Sequence, residues 1–170
     1  MGASLLAKHV VALPVSVAGV RLASSVHQLR APQSAGKWLA VHVLYSECRC
    51  SQRVVAHLSS SVRPTGWDEE VLWVGPGALD PVLASRFRVR RLSSVELAHL
   101  GIDSAPLMIV ASPDDEIRYA GGYSQRKQAP ALDDLRILAD SRRQVVASLP
   151  VFGCAVSERL RRQFAGLGWF

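Results

Sequence analysis

From Trp38 to Tyr45 the chain is almost continuously apolar, with Leu39, Val41, Val43 and Tyr45 alternating with Ala40, His42 and Leu44. That is the pattern of a strand buried on both faces. It breaks at Ser46-Glu47, and beyond Ser51 the period changes: Val54, Val55, Leu58 and Val62 recur at helical spacing. A loop over Arg63 to Glu70 holds Pro64 and Gly66, and Val71 to Val74 forms a second short apolar run ended by Gly75-Pro76-Gly77. Leu79, Val82, Leu83 and Phe87 predict a short helix with Pro81 in its first turn. Phe87 to Leu92 alternates as a third strand, and Ser93 and Glu96 offer a cap for a helix that stops at Gly101. Leu107 to Ala111 and Glu116 to Ala120, joined by the turn Ser112 to Asp115, lie too close for anything but an antiparallel hairpin. Leu132, Leu135, Leu138 and Ala139 then mark an amphipathic helix. The sum is an α/β sandwich, a central mixed sheet flanked by helices.

The flanks carry weaker patterns. Val10 to Val20 is apolar, follows Lys8 and His9, and precedes the small residues Ala23, Ser24 and Ser25. Its length suits a secretory signal or a trimmed membrane anchor; an extended segment packed on the domain fits equally. Pro14 and Gly19 interrupt it, and it is short for a membrane-spanning helix. Ser24 to Lys37, with Pro32 and Gly36, reads as a linker. The chain then divides into an extension over 1–36, a main domain over 37–148 and a cysteine-containing tail over 149–170. With 170 residues, 49% of them apolar, it can bury one sizeable core. The formal charge of +6 comes without a nucleic-acid motif or an aromatic stacking set, so no nucleic-acid partner is expected. The arginines at 86, 88, 90 and 91 and at 159, 161 and 162 read as solvated faces.

The chemistry concentrates where the strand pattern gives way to the helical one. Cys48 and Cys50 open that helix, where first-turn N–H groups and the helix dipole favour a thiolate. Arg49 adds a cation between them. Cα atoms two residues apart fall within the roughly 4.4–6.8 Å window for a disulfide. The small ring would be strained, which favours an oxidant or isomerase over a reductant. The bland alternative is a pair of inert buried cysteines. Cys154, in Leu149-Pro150-Val151-Phe152-Gly153-Cys154, is either a thiol folded back onto the pair or a packing residue. Cys48, Cys50 and Cys154 with His42 or another histidine could also form a soft-metal or iron–sulfur site, although the spacing is not a standard one. Gly121-Gly122 and Gly75-Pro76-Gly77 read as turns; no phosphate loop, dinucleotide fingerprint or Ser-His-Asp elbow is present.

Taken together, the strand, the cysteine pair at a helix start, Ala105-Pro106 before an apolar strand, the hairpin and the final helix resemble the thioredoxin-like superfamily over Lys37 to Ser148. The exported and membrane-anchored bacterial branches, the TlpA and RedB-like proteins, are the most similar. The resemblance implies a thiol–disulfide oxidoreductase without a cofactor, acting on a protein thiol or disulfide. It implies Cys48 as nucleophile, Cys50 as resolving thiol, and Pro106 as a cis-proline facing them. His42 stands where the family keeps a buried acid; from there an imidazole would exchange a proton with the second thiol, or serve only as a core histidine bonded to the backbone. Periplasmic or membrane-associated placement follows from the same likeness, as does anchoring through the N-terminus. The chain departs from the family in its Cys-Arg-Cys spacing, in lacking a Trp before the pair, and in its third cysteine. These departures leave room for a degenerate fold that acts only as a binding module.

Overall fold

The computed structural model of the protein describes Leu13 and residues 19–165. Five strands make the central sheet: β1 (Trp38–Tyr45), β2 (Trp67–Val74), β3 (Arg88–Leu92), β5 (Leu107–Ala111) and β6 (Ile117–Gly121). Their spatial order is β3-β2-β1-β5-β6. β2 and β3 run parallel to β1, β5 runs antiparallel to β1, and β6 runs antiparallel to β5, so the sheet is mixed as expected. Helices α1 (Gly19–Leu29), α2 (Arg49–Ser60), α3 (Pro81–Arg86), α4 (Ser94–His99), α5 (Asp134–Ser141) and α6 (Glu158–Ala165) surround it. A two-residue strand, β4 (Ser104–Ala105), pairs antiparallel with β7 (Cys154–Ala155) in a small separate sheet.

Strand alternation sorts β1 into two cores. Leu39, Val41 and Val43 face one side with Leu72, Ile109, Leu97 and Val156; Ala40 and Leu44 face the other with Val54, Leu58, Trp73, Met108 and Ile137. His42 belongs to the second side, edge-on to Phe87 at 6.0 Å between ring centroids.

Four departures from the sequence reading have physical causes. Ser24 to Leu29 belongs to helix α1 and not to a linker, because Leu22, Val26 and Leu29 bury completely on the first core, each worth about 1.5–3 kcal/mol. β2 begins at Trp67, four residues earlier than the apolar run, since its acidic start is neutralised in place. Glu70, fully buried, pairs with Arg88 and Arg90, and Glu69 pairs with Arg63. Several of the arginines read as solvated are therefore staples: Arg86 also donates to the carbonyls of Leu58 and Ser61 at the end of α2. Finally, Val62 lies outside α2 and is exposed, the helix having ended at Ser60.

The apolar N-terminal run falls almost wholly outside the described residues. Within it Leu13 is placed, its N–H donating to the Val151 carbonyl at 2.8 Å, and Gly19 and Val20 open α1. No helix among the described residues is long and apolar enough to cross a membrane.

Candidate functional site

β1 ends at Tyr45, and a short turn carries the chain into α2 with Cys48 at the N-cap. The turn is pinned: Tyr45 N–H donates to Ser51 Oγ at 3.0 Å and Cys48 N–H to the Tyr45 carbonyl at 3.0 Å. Cys48 is buried, with 1% of its surface exposed; Cys50, in the first turn of α2, and Cys154, in β7, are half-buried. All three are free thiols.

The tail closes over this point. After α5 ends at Ser141, residues 146–150 run beside β6, where Val146 N–H donates to Arg118 O at 2.8 Å and Gly122 N–H to Leu149 O at 3.0 Å. Gly122 is a place of close approach and not a turn, because a Cβ there would sit 1.8 Å from the Pro150 oxygen. β7 then lies against β4, with Cys154 opposite Ala105. The Ala105–Pro106 peptide is cis, as the resemblance implied. The Ala105 carbonyl lies 3.8 Å from Cys48 Sγ, and Pro106 shares a cleft with Cys50, Gly122, Tyr123, Lys127 and Phe152.

The Cys48 thiol is held well below its ordinary pKa by the neighbouring Cys154 thiol and then by that of Cys50, against the opposing effect of burial. The amides of Ser51 and Cys50 act in the same direction, without closing a capping hydrogen bond. Arg49 is exposed and is not among the groups that dominate the shift, so the expected cationic effect is supplied by thiols and helix amides instead. Cys50 and Cys154 are pushed up, first by their interaction with Cys48 and then by burial, while Lys127 opposes both shifts. The long Ala105 contact suits a neutral Cys48 thiol; the two neighbouring thiols are the stronger influence and favour the anion.

His42 lies behind the cleft. Its Nδ1 meets the Tyr123 hydroxyl at 2.8 Å and its Nε2 meets Glu69 at 3.0 Å, which leaves neither nitrogen for a direct bond to a thiol. With Glu69 ionised, Nε2–H donates to its carboxylate, and Nδ1 shares the second hydrogen bond with the Tyr123 hydroxyl. Burial holds the Tyr123 proton tightly. The network runs on through Arg63 and the buried Asp134 to His57, with contacts of 2.6, 2.6 and 2.8 Å. Sequence reasoning missed Tyr123, Glu69, Arg63 and Asp134, which no motif or period links. The metal alternative fares poorly: among the described residues no group of three or more His, Cys, Asp or Glu is arranged to hold an ion, and His42 is already engaged.

No protein-family model matches the chain, and no curated protein sequence does. Solved structures do. An uncharacterized conserved protein from Geobacillus kaustophilus aligns at a TM-score of 0.52 and 15% identity, over 72% of this chain and 77% of that one. A hypothetical protein, SMc02350, from Sinorhizobium meliloti 1021 aligns at 0.51 and 13%, over 72% and 80%. The thioredoxin domain of the thiol-disulfide oxidoreductase BVU-2223 from Bacteroides vulgatus aligns at 0.45 and 16%, over 65% and 81%. At such identities the first two likenesses bear on the fold alone, and the third alignment is too loose to add to them. The α/β layout, with its mixed sheet, its cysteine pair at the start of α2 and its cis-proline before β5, is the one implied by the sequence resemblance.

Proposed function

We propose that the protein is a thiol–disulfide oxidoreductase in which Cys48 is the attacking thiolate and Cys50 resolves. The observation that carries this reading is that Cys48 stands at the N-cap of α2, where helix amides favour its thiolate, 3.8 Å from the Ala105 carbonyl that precedes cis-Pro106. A buried packing cysteine has no need of such stabilisation, whereas a nucleophile does. Cys48 thiolate attacks one sulfur of a partner protein disulfide, and the other partner sulfur leaves as a thiolate that takes up a proton. Cys50, losing its proton, then attacks Cys48 Sγ; the mixed disulfide breaks, the partner's second thiol is released, and Cys48–Cys50 is formed. The partner is reduced by two electrons and the pair is oxidised by two; in the reverse direction, which the strain of the small ring favours, the Cys48–Cys50 disulfide oxidises a partner dithiol through the same mixed disulfide.

Pro106 borders the cleft through which the partner approaches, and His42 acts as a positioning residue through Tyr123, which lines the same cleft. The test is turnover of a model protein disulfide such as insulin, with dithiothreitol as the source of electrons. Wild-type protein accelerates the reduction and Cys48→Ser does not; equal rates with the two proteins would reject the reading.

A further inference from the structure

Cys48 is sealed from solvent while Cys50 and Cys154 are half-exposed. β7 lies against the strand that Cys48 touches. Cys154 stands opposite Ala105 in the antiparallel pair, and the Ala105 carbonyl is 3.8 Å from Cys48 Sγ. The approach depends on the preceding residue: a Cβ on Gly153 would fall 1.9 Å from the Ala105 oxygen and 2.6 Å from Pro106 Cδ. Only a glycine lets the chain lie this close.

The segment is tied down on both sides. Before it, Gly122 N–H holds the Leu149 carbonyl; after it, Val156 N–H donates to Asp103 O at 2.8 Å, and Arg161 Nε to Ala155 O at 3.1 Å. Arg161 also lies over the Tyr45 ring at the end of β1, 5.7 Å from its centroid. Strand pairing thus delivers the Cys154 thiol to Cys48.

We propose that β7 is a built-in substrate strand, and that Cys154 is a second exchange partner of Cys48 through which oxidation leaves the buried site. The proposal rests on the reading of Cys48 as the redox thiol. Starting from Cys48–Cys50, the Cys154 thiolate attacks Cys48 Sγ. The Cys48–Cys50 bond breaks, a Cys48–Cys154 bond forms, and Cys50 leaves as a thiolate that takes the proton Cys154 gave up. One disulfide is exchanged for another at the same oxidation level, so no outside oxidant is consumed. Lys127, whose charge favours the thiolate of both Cys50 and Cys154, assists attack and departure alike.

The test oxidises full-length protein with diamide, alkylates free thiols and maps the disulfides by mass spectrometry. In Cys50→Ser the expected product is an intramolecular Cys48–Cys154 disulfide, with the loss of two hydrogens; in Cys154→Ser it is Cys48–Cys50. Wild-type protein, which involves no folding risk, gives both linked peptides. Gly153→Val, placed in the Cys50→Ser background, slows Cys48–Cys154 formation by about tenfold or more because proximity is lost. Free thiols at Cys48 and Cys154 in oxidised Cys50→Ser, with only Cys48–Cys50 in the wild type, overturn the inference and leave the proposed function standing. Absence of any disulfide at Cys48 in all three proteins overturns both.

Discussion

Replacing Glu69 by Gln removes the charge at the centre of the buried network behind the cleft. The Glu69 side chain is 8% exposed and meets Arg63 at 2.6 Å and His42 at 3.0 Å. Burial pushes its carboxyl up, but the bonds from His42 and Arg63 outweigh burial and bring it down from 4.5 to about 2. A shift of that size corresponds to about 3 kcal/mol of folding stability. The sign follows from proton binding. In the unfolded chain Glu69 takes up a proton near its ordinary pKa, while in the folded chain it stays ionised until about pH 2. Its contribution is therefore complete above the unfolded pKa and drains away as the pH falls toward the folded one. Urea unfolding of both proteins at a series of pH values reads it directly. Near pH 7 the variant should be less stable by about 3 kcal/mol, and the gap should shrink by about 2 kcal/mol near pH 3. Curves that stay parallel from neutral to acid pH would refute the argument, because the remaining carboxylates are common to both proteins.

Gly122→Ala should destabilise the protein by about 1–3 kcal/mol, since the new methyl collides with the Pro150 backbone and not with a flexible side chain; an unchanged melting temperature would show that the tail can retreat freely. The Cys48 thiolate should be visible as an ultraviolet absorbance that persists as the pH falls through the ordinary thiol range and is missing from Cys48→Ser. A band that titrates near the ordinary thiol pKa would contradict the stabilised thiolate.

The site was legible in the sequence where it is local. Cys48 and Cys50 declare themselves by a change of hydrophobic period, and β1, β5 and β6 by alternation and a short turn. What could not be read is what distant residues decide. Leu22, Val26 and Leu29 have helical spacing, but Ser24, Ser25, His27 and Gln28 dilute it, and only the docked core reveals it as an element. β2 begins with Trp67-Asp68-Glu69-Glu70, which has no strand pattern until Arg63, Arg88 and Arg90 neutralise it. β7 is two residues long, too short for any periodicity, and its meaning lies wholly in its pairing with β4. The functional importance of Gly153 and Gly122 is likewise a property of what comes near them.

The proposed function stands or falls on Cys48 as the redox thiol. Equilibrating the protein in glutathione buffers of graded potential, followed by alkylation and mass spectrometry of each cysteine, tests it most directly. The account predicts that two thiols disappear together in one reversible two-electron transition and that Cys48 is always one of them. Alkylation of Cys48 that does not change between the most reducing and the most oxidising buffer, or a transition that survives in Cys48→Ser, would contradict it.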